Sequence, residues 1–376
     1  METKSYKGVG SLEDVLRYGD WELKLSEGSH PKTLMLEIST NCNYDCSHCF
    51  RRATKNFKQC DMTMDVFKRI VEDAEGAGVR RVVLSGWGEP TSNPAFIGML
   101  RELKERGFQV ALNTNGSTLE DGAEELVELG LDEIYVSIEA YDVHTYSLIR
   151  RGGDLSSLLR GLKRVIELKS KKLVTKPEVT AIFTLTRLNL REVAKALEFA
   201  REMGLREVKF SNYIDFDGEL DCLSDSECSE RLKEELGRIA LKVLETGVRV
   251  TRPNLTPSTS RSCPFVSNRA LFVRCDGKVA PCIYYARSWS TRILGIRRRI
   301  REVVLGDLRE ESLIDIWRKS YARIFMRLYF LRLPSCLDCS LVNYCLITRS
   351  NEADCWGNRP SCAHCPYLHG FSFCPL

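Results

Sequence analysis

Cys42, Cys46 and Cys49 bring three thiols into eight residues at the spacing C-x3-C-x2-C. A loop of that length can turn all three sulfurs onto one small object. A cubane iron–sulfur cluster is about that size, and Cys thiolates are its usual ligands. Most such clusters take four protein ligands, so three leave one iron open for a ligand that is not protein. A zinc site or a disulfide pair is the plainer reading of clustered cysteines. The strand and turn signals that follow weigh against it.

A second stretch, Ser85-Gly86-Trp87-Gly88-Glu89-Pro90, offers two glycines that let backbone approach a ligand and a carboxylate, Glu89, that can accept from an ammonium group. Further polar turns are Asn113-Thr114-Asn115-Gly116, Ser137-Ile138-Glu139-Ala140 and Ser211-Asn212, and the run Thr180-Ala181-Ile182-Phe183-Thr184 ends in a hydroxyl. Tyr213, Asp215 and Asp217 are candidate acid–base groups. Cys60, Cys222 and Cys228 have no partner spacing and read as ordinary thiols.

These stretches need a scaffold. Residues 33–39 read as a buried strand (Leu34, Met35, Leu36, Ile38) that delivers the cysteine loop at its C-terminal end. A rhythm follows: helix 64–77 then strand 79–84, helix 95–106 then strand 108–112, helix 119–129 then strand 133–138, helix 156–171 then strand 178–185, helix 190–203 then strand 207–210. Apolar strand runs alternating with amphipathic helices mean βα units and a parallel sheet. Six such strands with right-handed crossovers predict an α/β fold, a partial (β/α)6 TIM-like barrel over 32–250. Ligands in such folds sit at the C-terminal strand ends, where the polar stretches above fall. Residues 1–31 predict a short helix around Leu12, Val15 and Leu16, and 229–245 a longer one. Residues 253–262, rich in Pro, Ser and Thr, read as a linker into a C-terminal cysteine-rich module over 251–376.

The chain has 376 residues and a formal net charge of +4 with acids and bases mixed, which asks for neither nucleic acid nor membrane. No apolar run approaches the ~18–20 residues that span a bilayer. Residues 1–10 lack the apolar segment of a secretory signal, so a cytoplasmic location is expected. Sixteen cysteines in that compartment point to metal or chemistry. Scarce Gln (Gln59, Gln109) beside abundant Lys, Arg and Glu suggests a thermophile, where intracellular disulfides also occur. Ten of the sixteen cysteines lie between Cys263 and Cys374.

The cysteine loop resembles the signature of the radical SAM superfamily. The resemblance implies a [4Fe–4S] cluster on Cys42, Cys46 and Cys49 whose open iron holds the amino and carboxylate groups of S-adenosylmethionine. It also implies reductive cleavage of that molecule to a 5′-deoxyadenosyl radical, fed by a reductant such as ferredoxin. Gly86, Gly88, Glu89 and Pro90 resemble the family's GGEP motif, with Trp87 as an inserted spacer, and would hold the methionine amino group. Asn113, Asn115, Ser137 and Glu139 look like its ribose and carboxylate contacts, and Thr184 would face the adenine. Arg150 matches an Arg that meets the methionine carboxylate, and reads equally as a solvated helix-end cation. His48 stands where the family has an aromatic residue.

Cys263, Cys275, Gly277 and Cys282, followed by Cys336-x2-Cys339-x5-Cys345, resemble the SPASM extension of that superfamily, which binds one or two auxiliary iron–sulfur clusters. The pattern departs where the family's next Cys would fall, at Arg349, so further ligands must come from Cys355, Cys362, Cys365 or Cys374. Ten thiols suffice for two auxiliary [4Fe–4S] clusters. Zinc is the rival for the last group, because C-x2-C serves it equally well.

SPASM proteins modify a peptide or protein, or mature a cofactor. Ile283, where sulfatase maturases carry Asp, argues against that branch. The tail 354–365 and the Gly-Trp-Gly-Glu-Pro loop resemble the archaeal maturases of tungsten-pterin aldehyde ferredoxin oxidoreductases, which implies a pterin substrate; a ribosomal peptide is the alternative. The run Arg297-Arg298-Arg299-Ile300-Arg301 could meet an anionic pterin or an acidic protein, or be a solvated surface. Two rival classes are an iron–sulfur scaffold or electron carrier that ignores S-adenosylmethionine, and a zinc-stabilised nucleic-acid binder with steep salt dependence. The barrel rhythm and the near-balanced charge count against the second.

Overall fold

The computed structural model describes residues 14–18, 20–25, 30–54, 57–257, 261–318 and 332–376. Strands β1 (Asp14–Tyr18) and β2 (Trp21–Leu25) form an antiparallel hairpin where the sequence predicts a short helix. The intervening Gly19-Asp20 pair is a hairpin signal that outweighs the spacing of Val15 and Leu16. Leu12 lies outside the described residues.

The βα rhythm is present. β3 (Thr33–Leu36), β4 (Arg81–Leu84), β5 (Gln109–Thr114), β6 (Glu133–Ser137), β7 (Glu178–Leu185), β8 (Glu207–Asn212) and β9 (Arg249–Thr251) are parallel neighbours in chain order. β9 adds a seventh strand to the six expected. Between them run α1 (Met64–Gly76), α2 (Phe96–Glu105), α3 (Leu119–Glu128), α4 (Val143–Ile149), α5 (Leu155–Lys172), α6 (Lys195–Glu202) and α7 (Ser226–Thr246). Thr63, Asp142, Asp154 and Asp225 each accept a first-turn N–H, which fixes four of the helix starts. α1 buries Phe67, Ile70, Val71 and Ala74, the i, i+3, i+4, i+7 stripe of a helix on a sheet. The helix expected over 190–203 is a one-turn 3-10 segment, Leu190–Glu192, and then α6. Buried Glu192 turns back to accept from the N–H groups of Tyr141 and Asp142 (3.0 and 3.2 Å), which ties that first turn to the loop before α4.

The sheet continues past residue 250, where a domain boundary is expected. β10 (Ala270–Val273) pairs in parallel with β3, and β11 (Lys278–Ala280) pairs antiparallel with β10. After the hairpin of β12 (Trp289–Ile293) and β13 (Ile296–Ile300), β14 (Gly306–Asp307) joins β11. The ten strands run from β14 to β9 without closing on one another, a partial barrel.

The pleat divides the core. Leu34, Leu36, Val82, Leu84 and Leu112 face the helices, while Met35, Val83 and Ala111 face the other way. On that second face they pack in one buried cluster with Phe272, Tyr284, Tyr285 and Trp289. The C-terminal module therefore fills the concave side of the sheet and does not hang from a linker. Within β13 the basic run splits. Arg297 and Arg299 are exposed, but Arg298 is buried and donates to the Thr348 carbonyl, so a solvated reading fails for that residue.

Candidate active site

The cysteine loop leaves the C-terminal end of β3 and is held from two sides. Asp45 N–H donates to the Arg151 carbonyl (2.9 Å) and Ser47 N–H to the Ile149 carbonyl (2.8 Å), which fastens it to the end of α4. Glu89 N–H donates to the Asn41 carbonyl (2.8 Å) from the loop after β4. Cys42, Cys46 and Cys49 face a cavity of about 250 Å³ at the C-terminal strand ends. Gly86, Gly88, Glu89, Asn113, Asn115, Ser137, Arg150 and Thr184 line the same cavity. Pro90 and Glu139 do not reach it: Pro90 begins a 3-10 turn, and Glu139 is buried behind Arg150. Tyr213 lines the cavity, whereas Asp215 caps its own loop by accepting from Gly218 N–H (2.7 Å) and Asp217 N–H (3.1 Å).

Each polar group has a definite setting. Glu89 is buried; Oε1 accepts from Thr91 N–H (3.2 Å), Thr91 Oγ1 (2.8 Å) and Thr114 Oγ1 (2.8 Å), and Oε2 from Asn115 N–H (2.7 Å). Burial raises its carboxyl and these bonds oppose the rise. Oε2 keeps acceptor capacity toward the cavity. Arg150 is buried, not a solvated cation; its Nε donates to Glu139, its Nη1 lies 3.5 Å from Cys46 Sγ, and its Nη2 has no hydrogen-bond partner among the described residues. Asn115 Nδ2 lies 3.8 Å from Cys42 Sγ. His48 is 3.8 Å from Glu139, and burial lowers its imidazole to about 4, so it is neutral.

This donor set fits an iron–sulfur cluster. Burial pushes the Cys46 thiol up and the Cys49 thiol to about 12, and a cationic centre bound there would hold them as thiolates. Arg150 and Asn115 point N–H groups at two of the sulfurs, as cluster ligands commonly receive. Among the described residues, no three His, Cys, Asp or Glu side chains close around a single metal ion.

The two glycines line the cavity and also meet a packing need. A Cβ on Gly86 would stand 2.5 Å from Glu37 Cγ, and one on Gly88 2.5 Å from the Thr40 backbone and 2.6 Å from the Asn41 carbonyl oxygen. They let this loop pack on the cysteine loop. Trp87, read as a spacer, is buried; its indole N–H donates to the Ile283 carbonyl (3.2 Å), and its ring packs against Phe50 and Trp289. Glu37 is the residue that sequence reasoning missed. An acid inside the apolar run Leu34–Ile38 was the available signal, and its carboxylate accepts from Trp87 N–H (2.9 Å), Cys275 N–H (3.4 Å) and Arg287.

Residues 371–375 cross the cavity mouth, a placement the sequence did not signal. Asn212 N–H donates to the Phe371 carbonyl (3.2 Å), Phe373 N–H to Ser211 Oγ (2.9 Å), and Asn113 Nδ2 to the Pro375 carbonyl (2.6 Å). Phe373 and Pro375 line the cavity beside Tyr135 and Tyr367.

The module's cysteines sort into two groups. Cys263, Cys282, Cys362 and Cys365 line one small apolar cavity; burial raises Cys282, and the proximity of Cys365, Cys362 and Cys263 raises it further. Buried Cys374 is coupled to Cys263 and Cys365. Burial pushes Cys336 to about 12; Arg298 opposes this, and nearby Cys355 and Cys345 add to it. Cys339 is exposed. Cys275 belongs to neither group. It forms a disulfide with Cys60, which corrects both its expected ligand role and the reading of Cys60 as a lone thiol. The parallel β10–β3 pairing, invisible in spacing, brings the two together: Cys275 follows β10, and Cys60 is hydrogen-bonded to Thr40 just past β3. Cys222 and Cys228 also form a disulfide.

Comparison with known proteins agrees with this geometry. Residues 36–200 match the radical SAM superfamily, and residues 263–340 match the iron–sulfur cluster-binding domain called SPASM. The tungsten-containing aldehyde ferredoxin oxidoreductase cofactor-modifying protein of Pyrococcus furiosus is 30% identical over 361 residues, covering 92% of this chain and 97% of that one. Among solved structures, anSMEcpe with bound AdoMet superposes with a TM-score of 0.63 at 18% identity, over 91% of this chain and 96% of that one. Streptococcus suis SuiB bound to S-adenosylmethionine gives 0.60 at 17%, over 84% and 72%. Among the described residues no helix is long and apolar enough to cross a membrane.

Proposed function

The chain belongs to the radical SAM superfamily and carries its SPASM extension, and on that premise we propose that it matures the pterin cofactor of a tungsten oxidoreductase. It is an enzyme that uses S-adenosylmethionine and iron–sulfur clusters. Residues 32–250 are its radical unit and 251–376 its auxiliary unit.

When bound, the [4Fe–4S] cluster supplies the electron that splits the sulfonium of S-adenosylmethionine. Cys42, Cys46 and Cys49 hold that cluster. Glu89 Oε2 takes the methionine ammonium, and the unpartnered Nη2 of Arg150 takes the carboxylate. Asn113, Asn115, Ser137 and Thr184 present polar groups along the wall where ribose and adenine lie. Cys263, Cys282, Cys362 and Cys365, with Cys374 beside them, hold one auxiliary cluster; Cys336, Cys339, Cys345 and Cys355 hold the other. The rings of Phe50, Trp87, Tyr135, Tyr367 and Phe373 keep water from the reacting atoms. The electrons come from a reductant such as ferredoxin.

The observation that carries the substrate reading is the likeness to the Pyrococcus furiosus protein, which spans both units. The strap of 371–375 narrows the mouth, which favours a compact heterocycle over an extended peptide. Anaerobic incubation with S-adenosylmethionine, a reductant and the isolated metal-free pterin should consume the pterin in step with 5′-deoxyadenosine. Modification of peptides with the pterin untouched would overturn the reading.

A further inference from the structure

Leu341, Tyr344, Leu346, Ile347 and Trp356 are five of the thirteen large apolar side chains exposed among the described residues, and they fall within sixteen positions. Tyr344 and Leu346 are 84% and 82% exposed. So dense a run of exposed apolar side chains on a folded chain marks a contact site. Its position sets it apart from scattered surface leucines. The stretch threads between Cys339, Cys345 and Cys355, and Cys339 and Cys355 are themselves exposed. The second auxiliary group therefore opens to the surface under this patch, whereas Cys46 is buried and the cavity before it is walled by Trp87, Tyr367 and Pro375.

The rim of the patch is basic. The residue pair Arg299 and Ser350 forms a β-bridge, which sets the β13 edge beside the Leu346–Ile347 turn. Arg297 and Arg299 point outward from that edge, and among the described residues no ion pair involves either. Arg298, between them, points inward at Cys336 and Cys345 and steadies the group beneath. Glu352 pairs with Arg301 (3.0 Å) and also feels the charge of Arg299, which leaves the border net basic. An apolar centre with a net basic border is the complement of an acidic protein surface.

We propose that this patch is the docking surface for an acidic iron–sulfur electron carrier, which passes one electron to the auxiliary cluster of Cys336, Cys339, Cys345 and Cys355. The inference rests on the proposed function, which needs electrons from outside. In the step the carrier's cluster loses one electron and the auxiliary cluster gains it; no bond forms or breaks. The net basic border would also speed the encounter at low salt.

The test uses the reconstituted full chain and reduced bacterial [4Fe–4S] ferredoxin as the probe. Leu346→Asp and the double change Arg297→Glu with Arg299→Glu should each raise the KM for ferredoxin, read by 5′-deoxyadenosine formation, by about tenfold or more. With titanium(III) citrate, which needs no docking, both variants should turn over within about twofold of wild type. Calorimetry should show a matching loss of ferredoxin binding, and wild-type binding should weaken from low to high salt. An unchanged ferredoxin KM would overturn the proposal. So would an equal loss with both reductants, which would mean structural damage, or a wild-type dimer that Leu346→Asp dissolves, which would mean self-association. A wild type inactive with either reductant would refute the function reading, while calorimetry would still decide the docking.

Discussion

Glu37 and Arg287 meet as a buried bidentate pair, Nη1 to Oε1 at 2.9 Å and Nη2 to Oε2 at 2.5 Å, across 250 residues of sequence. The pair joins the strand that carries the cysteine loop to the auxiliary unit. Through Trp87 N–H it also fixes the loop expected to hold the methionine ammonium. Arg287→Met removes the cationic partner of the buried Glu37 carboxyl, at a cost of about 3–5 kcal/mol. A clearly lower Tm and weaker S-adenosylmethionine binding are expected, by thermal melt and calorimetry. An unchanged melt would show that the pair does not hold the two units together.

Gly88→Ala should disturb the cysteine loop as well as the cofactor. The added methyl meets backbone at 2.5 Å, which cannot swing aside as a side chain could. Overpacking of this kind costs roughly 1–3 kcal/mol. Reconstituted iron should fall along with S-adenosylmethionine affinity. Full iron with weakened binding would mean that the glycine faces the ligand, as the sequence alone suggests.

Asp132, just before β6, anchors the N-terminal end of the sheet. It accepts from Lys104 Nζ (2.5 Å), Lys176 Nζ and Val110 N–H (2.8 Å). Burial would raise its carboxyl, but the two lysines and the amide outweigh this and hold it below the usual range. A depressed carboxyl stabilises the fold above its unfolded value, near ~3.9, and loses that contribution as pH falls through the folded value. Asp132→Asn should therefore cost on the order of 2 kcal/mol at neutral pH. The gap to wild type in urea titrations should close below about pH 4. A gap that persists to pH 2 would contradict this ion-pair account.

The barrel and its site were legible because both obey local rules. Strand–helix alternation and polar turns at strand ends are periodic signals, and they put Cys42, Glu89 and Asn115 at the C-terminal strand ends, where the structure has them lining one cavity; Arg150, at the end of α4, came from the resemblance alone. What stayed hidden depends on long-range pairing. The Cys60–Cys275 disulfide follows from the register of β10 on β3, and the strap at Phe373 follows from hydrogen bonds to Ser211 and Asn113 from far along the chain. Neither leaves a mark in spacing. Trp87 shows a third limit: a residue between two motif glycines reads as filler until its indole partner, Ile283, is seen.

Iron counting separates the cysteine groups. The full chain should hold roughly twelve irons, four in each of three cubanes. Cys263→Ala with Cys282→Ala should remove about four, and so should Cys336→Ala with Cys339→Ala. Cys60→Ala with Cys275→Ala should remove none. Loss of iron from that last pair would restore Cys275 to the ligand set, and one zinc in place of four irons would mark a structural zinc site.

The central claim is that Cys42, Cys46 and Cys49 hold the cluster that cleaves S-adenosylmethionine. The most direct measurement is anaerobic 5′-deoxyadenosine formation by the reduced, reconstituted chain beside a variant with all three changed to Ala. The account predicts product from wild type, and none from a variant that still retains about eight irons. A reduced wild type with full iron and no 5′-deoxyadenosine, or a variant that forms it as fast, would contradict it.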